Sequence, residues 1–262
     1  MSRIELSQVI YESAFGIATI TLNRPDKLNS ITHQMHTDLR SAFDLIDQDS
    51  SIRVIIITGA GRGFCAGQDL ADPQTDINDL GTALEENYNT LITRMASHPR
   101  PIISAVNGVA AGAGANLALA ADLTIMGKNA SLIQAFVRIG LLPDAGGTWF
   151  LPRKAGLQQA MGLAMTGEKI NGDQALQMGL VWKVVDDAMV LDSAYELAKQ
   201  LTQLPPLALA EMKQAIRQAL GNSLEEQLSL EKEAQSRLGQ SNDFKEGVAA
   251  FLEKRSPVFK GQ

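Results

Sequence analysis

The sequence predicts an α/β fold with repeated β-β-α units, followed by a helical C-terminal third. Three apolar runs are too short for helices and have the composition of buried parallel strands: residues 54–57, Ile102–Val106 and residues 123–126. Segments with helical periodicity precede or separate these runs, which is the order expected of crossover connections. After Gly147 the pattern becomes almost wholly helical.

Each further element is predicted by its own periodicity. Residues 4–11 and 15–22 alternate in polarity on either side of a break at residues 12–14, which predicts a hairpin or two adjacent strands. In the C-terminal third we predict one short strand and a helix that begins at the capping box Ser223-Leu224-Glu225-Glu226. The predicted helices before Gly147 cover residues 31–46, 84–95 and 113–121, and the late strand covers residues 181–185.

Composition excludes several function classes. The net charge is −6 and the 23 Lys and Arg residues are scattered, so a nucleic-acid partner is not expected. The first residues lack the apolar core of a signal peptide and no later segment resembles a membrane span, so we expect a cytoplasmic protein without membrane association. The single cysteine and three scattered histidines favour neither a disulfide nor a metal site.

Two glycine-bearing segments follow predicted strands, where open α/β sheets place their ligands. Residues 59–70 and residues 107–114 fit neither a dinucleotide fingerprint nor a Walker loop. Their backbone N–H groups are unobstructed by side chains, and the second segment opens a helix, so two N–H groups converging there would form an oxyanion hole. The alternative is that these glycines only permit tight turns and close packing.

A third segment carries an acid in apolar surroundings. Asp144 follows a proline and precedes two glycines in G-L-L-P-D-A-G-G-T, residues 140–148. An aspartate at such a place is either the N-cap of the next helix or a desolvated carboxylate that acts as a general base. The residues alone leave both interpretations open.

Five blocks resemble the crotonase (enoyl-CoA hydratase/isomerase) superfamily, in the family's order and across nearly the whole chain. They are L-N-R-P-D-K-L-N-S at 22–30, F-C-A-G-Q-D-L at 64–70, A-V-N-G-V-A-A-G-A-G at 105–114, G-L-L-P-D-A-G-G-T at 140–148 and E-G-V-A-A-F-L-E-K-R-S-P-V-F at 246–259. The resemblance implies a spiral of ββα repeats with the acyl-CoA site in residues 1–200. It also implies a helical trimerisation region in residues 201–262.

The same resemblance implies roles for individual residues. The backbone N–H groups of Gln68 and Ala113 are expected to form the oxyanion hole, and Asp144 is expected to be the catalytic acid or base. The residues expected to contact the substrate or its coenzyme A are Lys27, Leu28, Ala66, Asp69, Leu70, Asn116, Phe259 and Lys260. Lys27 is equally well interpreted as a solvated surface lysine, and Asn116 as a structural residue.

The family's hydratases use two glutamates, and this sequence has neither. Their positions hold Asn116 and Phe136, which cannot act as acid or base, so hydration by two glutamates is not expected. One carboxylate suits a proton shuttle instead: it removes a proton beside the thioester, the oxyanion hole stabilises the enolate, and the same acid returns the proton elsewhere. The sequence therefore predicts an isomerase.

Within the family, the blocks are most similar to the isomerases that convert ring-1,2-epoxyphenylacetyl-CoA to oxepin-CoA in bacterial phenylacetate degradation. That branch is also implied to shift 3-enoyl-CoA to 2-enoyl-CoA. A general Δ3,Δ2-enoyl-CoA isomerase is the alternative, ahead of a hydratase or a non-catalytic acyl-CoA-binding subunit. No cofactor beyond the substrate's coenzyme A is expected. A homotrimer or dimer of trimers, and association with an enoyl-CoA hydratase, are the partners that the resemblance implies.

Overall fold

The computed structural model describes residues 2–74 and 79–262, and its largest element is a seven-stranded sheet. The central strands β3, β4, β6 and β8 pair in parallel and are almost entirely buried, which explains their continuous apolar sequence. In spatial order the strands are β1 (Ser2–Glu5), β2 (Val9–Ala14), β3 (Ile17–Leu22), β4 (Val54–Gly59), β6 (Ile102–Val106), β8 (Leu123–Gly127) and β11 (Lys183–Val185).

A second sheet has four strands of three residues each. Its order is β10 (Lys169–Asn171), β9 (Ser131–Ile133), β7 (Val109–Ala111) and β5 (Gly63–Cys65). Strands β5 and β7 pair in parallel and lie inside the two glycine-bearing segments. The small sheet therefore fixes these two segments side by side.

The helices pack on the sheets and form the C-terminal third. Helix α4 (Ala113–Ala120) is buried along its whole length, whereas α8, α9 and α10 expose large apolar side chains, including Ile216, Leu224 and Phe251. The other bounds are α1 (His33–Gln48), α2 (Leu80–Ala83), α3 (Thr90–Ser97), α5 (Gly147–Thr166), α6 (Gly172–Gln177), α7 (Val190–Thr202), α8 (Pro206–Ala219), α9 (Leu224–Leu238) and α10 (Asn242–Glu253). Nothing in the described part of the chain is both helical and long and apolar enough to cross a membrane.

Several predicted elements are confirmed. The buried strands β4, β6 and β8 begin at the predicted residues, and α1 and α4 begin within two residues of the predicted starts. Helix α9 begins at the predicted capping box, in which the Ser223 hydroxyl accepts from the Glu226 N–H and the Glu226 carboxylate accepts from the Ser223 N–H.

Other predictions are wrong. The N-terminal break lies at Phe15 and Gly16, both with positive φ, instead of at residues 12–14. The run of residues 4–11 divides into β1 and β2 around residues 6–8, where the chain leaves the sheet. All four strands of the small sheet were missed, because three residues are too few for alternating polarity to indicate a strand.

The helix predicted over residues 84–95 is longer and irregular. It runs through α2, a π-helical segment Leu84–Asn89 and α3. Such π segments are uncommon and occur often at functional sites, because the extra residue in the turn redirects a side chain. The polar loop predicted between Leu70 and Gly81 ends where α2 begins, and its residues 75–78 lie outside the described residues.

Candidate active site

The two glycine-bearing segments meet at the carboxyl ends of β4 and β6, which are parallel neighbours. Asn107 links them, because its side-chain amide donates to the carbonyl oxygens of Gly59 and Gly61 at 2.9 Å each. Gly67 has φ +90°, and a Cβ there would lie 2.7 Å from the carbonyl oxygen of Ala111. The close approach thus requires glycine, and it brings Gln68 and Ala113 to the wall of one cavity.

Helix α4 begins at Ala113, after an N-cap glycine in a positive-φ conformation. The N–H groups of a first helical turn have no intrahelical acceptor, and they carry the positive end of the helix dipole. Both predicted oxyanion donors therefore belong to backbone that borders the cavity, and at Ala113 the helix dipole favours a negatively charged oxygen.

The cavity has a volume of about 760 Å³ and is mainly apolar. Three of the five signature blocks contribute to its wall, through residues such as Ala66, Ala113 and Leu142. Asp144 is the only aspartate or glutamate among the described residues that line it. Within the described part of this wall, an acid–base step by a carboxylate therefore falls to Asp144.

The Asp144 carboxylate lies on a sharp backbone turn that precedes α5. Ala145 has φ +46° and Gly146 has φ +78°, so the backbone reverses sharply before α5. The Asp144 Oδ1 atom is buried and has no hydrogen-bond partner among the described residues. Burial raises the pKa of this carboxyl to about 6, against a smaller lowering by a hydrogen bond to its own backbone. The N-cap interpretation is wrong, because the N-cap of α5 is Gly146.

Comparison with known proteins shows the family of this chain. A family model for enoyl-CoA hydratase/isomerase matches residues 12–262. The chain belongs to the enoyl-CoA hydratase/isomerase family. A 1,2-epoxyphenylacetyl-CoA isomerase of Escherichia coli is 49% identical over 94% of this chain and 96% of its own. A probable enoyl-CoA hydratase of Rhodobacter capsulatus is 47% identical over 96% of this chain and 97% of its own.

Solved structures of the family confirm the predicted crotonase fold. The crystal structure of an enoyl-CoA hydratase from Bacillus anthracis superposes with a TM-score of 0.93 at 33% identity, covering 98% of this chain and all of that one. This protein is thus an enzyme of the acyl-CoA isomerase and hydratase class.

The two positions that the sequence resemblance assigns to hydratase glutamates have no acid here. Phe136 lines the cavity as an apolar wall. Asn116 is fully buried and is absent from the cavity wall of the described chain. Its amide donates to the Asp144 carbonyl oxygen at 2.8 Å and accepts from Gln134 at 2.8 Å. The placement of Asn116 favours the structural interpretation: it holds the backbone of the Asp144 turn rather than the substrate.

Gly147 shows how tightly this turn is packed. A Cβ at Gly147 would collide with the Asn116 amide, so a larger residue at 147 would displace either the amide or the turn. Because Asn116 lies on α4, the helix that begins with a predicted oxyanion donor also holds the backbone of Asp144. Helix α4 therefore links the predicted oxyanion donor Ala113 to the turn that carries Asp144.

The residues predicted to contact coenzyme A lie in different settings. Ala66 and Leu70 line the cavity, and Leu70 is largely exposed at its edge. Lys27 is exposed near the first glycine-bearing segment. Leu28 packs against Gly63, and its carbonyl accepts from the Ala66 N–H at 2.9 Å. Their contacts with coenzyme A remain predictions.

Asp69 is held by the protein itself. Its Oδ2 atom lies 2.9 Å from an Arg24 guanidinium nitrogen, and its Oδ1 accepts from the Ala71 N–H. Burial alone would raise the pKa of Asp69, but the hydrogen bond from Arg24 and the further bonds from its neighbours outweigh burial and lower it. This carboxylate is absent from the described cavity wall.

Phe259 and Lys260 lie at the opposite end of the large sheet. The Phe259 carbonyl accepts from Arg53, which precedes the amino end of β4, while the cavity lies beyond its carboxyl end. The Lys260 N–H donates to Asp243 at 2.7 Å. A role of either residue in coenzyme A binding therefore requires the site of a neighbouring copy, and this role remains a prediction.

Tyr88 and His36 are among the residues of the cavity wall that sequence reasoning missed. Tyr88 lies on the π-helical segment and donates from its hydroxyl to Gln68 Oε1 at 2.7 Å. His36 lies on α1 with its ring edge-on to Tyr88, the ring centroids being 4.3 Å apart. The only signal in the sequence was a histidine on the apolar face of α1, which is more often a core residue than a ligand contact.

Proposed function

We propose that this enzyme isomerises ring-1,2-epoxyphenylacetyl-CoA to oxepin-CoA and shifts 3-enoyl-CoA to 2-enoyl-CoA. The single observation that carries the proposal is that Asp144 is the only acid on the described cavity wall, buried and unpaired at Oδ1. A second acid or a held water is needed for addition across a double bond, whereas moving one proton needs one carboxylate. The 49% identity to an epoxyphenylacetyl-CoA isomerase supports the choice of acyl group.

In the proposed mechanism the thioester oxygen accepts hydrogen bonds from the N–H groups of Gln68 and Ala113. Asp144 removes a proton from the carbon next to the thioester, and the enolate forms against the two donors. For a 3-enoyl group the same acid returns the proton to C4. For the epoxide, the carbon–carbon bond between the two epoxide carbons breaks as the ring expands to the oxepin, and the proton returns to a ring carbon, so that no atom is gained or lost. Each oxyanion donor contributes on the order of 3 kcal/mol.

The elevated pKa of Asp144 suits this role. A carboxylate with a pKa of about 6 is a stronger base than an ordinary aspartate, and it remains mostly ionised near pH 7. The apolar wall strengthens the electrostatic attraction between the enolate oxygen and its donors by excluding water. Burial thus favours both proton removal and stabilisation of the charge that results.

The proposed chemistry requires neither a particular oligomeric state nor a further cofactor. We propose a homotrimer or a dimer of trimers, supported by the exposed apolar side chains of α8–α10, which are too numerous for a solvated surface. Coenzyme A is proposed to enter only as part of the substrate. Association with an enoyl-CoA hydratase is proposed on the family resemblance alone, and a cytoplasmic location on the hydropathy of the sequence.

The decisive experiment compares two substrates in one assay. Purified protein is incubated with ring-1,2-epoxyphenylacetyl-CoA and with 3-hexenoyl-CoA, and products are identified by mass and ultraviolet spectrum. We expect both to be isomerised without change of mass. Isomerisation of 3-hexenoyl-CoA alone would establish the general Δ3,Δ2-enoyl-CoA isomerase instead. Addition of water to a 2-enoyl-CoA at a comparable rate would reject the single-carboxylate argument.

A further inference from the structure

His36 is a polar side chain that the proposed mechanism does not use. It is 3% exposed, it lies on the cavity wall, and neither ring nitrogen has a hydrogen-bond partner among the described residues. Leaving a buried polar group unpaired costs about 1–3 kcal/mol, so such groups usually have a functional reason. A leucine of similar size would avoid this cost if the wall served only to enclose an apolar chain.

The surroundings of His36 leave it available to a ligand. Tyr88 contacts its ring edge-on, but the Tyr88 hydroxyl donates to Gln68 and so does not donate to the imidazole. Burial, together with the nearby charges of Arg40 and His33, lowers the pKa of His36 to about 3. The ring is therefore neutral at pH 7, with one N–H donor and one acceptor nitrogen.

The position of His36 relative to the thioester limits what it can meet. His36 contacts Tyr88, Tyr88 binds the Gln68 side chain, and the Gln68 backbone is a proposed oxyanion donor. These contacts place His36 beside the segment that carries the proposed oxyanion donor, so we expect it to meet the acyl group on the thioester side. In ring-1,2-epoxyphenylacetyl-CoA the epoxide oxygen is attached to the ring carbons closest to the thioester.

We propose that His36, held by Tyr88, is a specificity-determining residue that hydrogen-bonds a neutral oxygen on the acyl group close to the thioester. The proposal rests on the function proposed above and names how its preferred acyl group is recognised. A neutral imidazole suits an epoxide, ether or hydroxyl oxygen, because its N–H donates and no charge needs to be compensated. For an apolar 3-enoyl chain the same imidazole stays unpaired, so His36 should increase affinity only for oxygenated acyl groups.

The test measures binding of two unreactive ligands, phenylacetyl-CoA and 2-hydroxyphenylacetyl-CoA, by calorimetry. Wild-type protein should bind the hydroxylated ligand more tightly by roughly 3- to 10-fold, the contribution of one hydrogen bond. His36→Leu should reduce this ratio of affinities to about one. His36→Gln, which keeps a donor and an acceptor at similar volume, should restore part of the preference. Melting temperatures of both variants establish that they are folded.

Each outcome bears on the proposal. The same ratio in wild type and His36→Leu would overturn the assignment, as would a wild type that binds both ligands equally. A purely structural role predicts that both variants weaken both ligands alike. Because neither ligand reacts, this result is independent of turnover: a protein that shows the expected binding ratios but fails to isomerise the epoxide would disprove the proposed function and leave the oxygen subsite standing.

Discussion

Asp144 lies on the cavity wall and Asp69 lies outside the described part of that wall, and their surroundings give the two carboxyl groups opposite properties. Both are partly buried, and burial alone would raise the pKa of each. Asp69 has partners for both carboxylate oxygens, including Arg24 at 2.9 Å, and its pKa is lowered. Asp144 has a buried oxygen without a partner, and its pKa rises to about 6. Deeper burial and missing partners together therefore separate an aspartate suited to proton transfer from one that stabilises a loop.

The largest effect is expected at Asp144 itself. Asp144→Asn keeps the size of the side chain but cannot accept and return a proton, so turnover should fall by roughly 10²–10⁴-fold. Steady-state kinetics with the better of the two proposed substrates measures the loss, and titration with an unreactive acyl-CoA checks that binding is kept. More than about a tenth of wild-type activity in the variant would exclude Asp144 as the base, because that loss lies below the range for a general base.

The same variant should be more stable than the wild type. A carboxyl whose pKa is higher in the folded than in the unfolded chain favours folding only when protonated, and this benefit is lost as the pH rises through about 6. At pH 7 the ionised Asp144 therefore destabilises the fold by roughly 3 kcal/mol, at 1.36 kcal/mol per pKa unit. Asp144→Asn should raise the melting temperature at pH 7 and lose this advantage near pH 4.

The next largest effect should come from a backbone group. Ala113 is the first residue of α4, where proline is compatible with the helix but lacks the N–H. Ala113→Pro should fold and lose roughly 10²-fold or more in turnover. Gln68→Ala is the matched control, since it removes a side chain and keeps the N–H, and it should stay within about tenfold of wild type. A folded Ala113→Pro protein with near-normal rates would remove Ala113 from the oxyanion hole.

The sequence predicted the regular part of this molecule better than the part that performs chemistry. Apolar periodicity located β4, β6, β8, α1 and α4, because buried strands and helices impose long repetitive patterns. The small sheet has no such pattern, since its three-residue strands obtain their stability from neighbours distant in sequence. Yet this sheet sets the two glycine-bearing segments side by side.

The site was also predicted only in part: its motif residues were named, but one side-chain contact on its wall was not. Asp144, Gln68 and Ala113 were named from motif resemblance, and the structure brings them to one cavity, while their catalytic roles remain predictions. The contact between His36 and Tyr88 was not predicted, because it joins α1 to a π-helical segment whose irregular turn leaves no signal in sequence. Asn116 was expected to contact substrate or to be structural. Its burial outside the described cavity wall and its hydrogen bond to the Asp144 carbonyl favour the structural role.

A smaller effect, visible in wild-type protein, is the pH dependence of turnover. The base must be ionised, so kcat/KM should be nearly constant above pH 7 and fall by about tenfold per pH unit below pH 6. Asp69 has a lowered pKa and remains ionised throughout this range, so it adds no second step. Stopped assays from pH 4.5 to 8.5 measure the profile. A midpoint near pH 4 would show that Asp144 is an ordinary carboxylate and that the comparison with Asp69 is unsound.

The smallest effect on catalysis is expected at Asp69, where the comparison predicts a cost in stability instead. Asp69→Asn leaves Arg24 without its ionic partner, and breaking a partly buried, charge-assisted hydrogen bond should lower the free energy of unfolding by about 1–3 kcal/mol. Turnover of the folded variant should remain within about threefold of wild type with an unchanged pH profile. Denaturation in urea measures the free energy of unfolding. The double variant Arg24→Met/Asp69→Asn measures the interaction between the two side chains, since it should lose less stability than the sum of the two single variants. A loss of turnover as large as that of Asp144→Asn, in a folded protein, would mean that a fully partnered carboxylate can also take part in the chemistry, and that pairing is not what distinguishes the two aspartates.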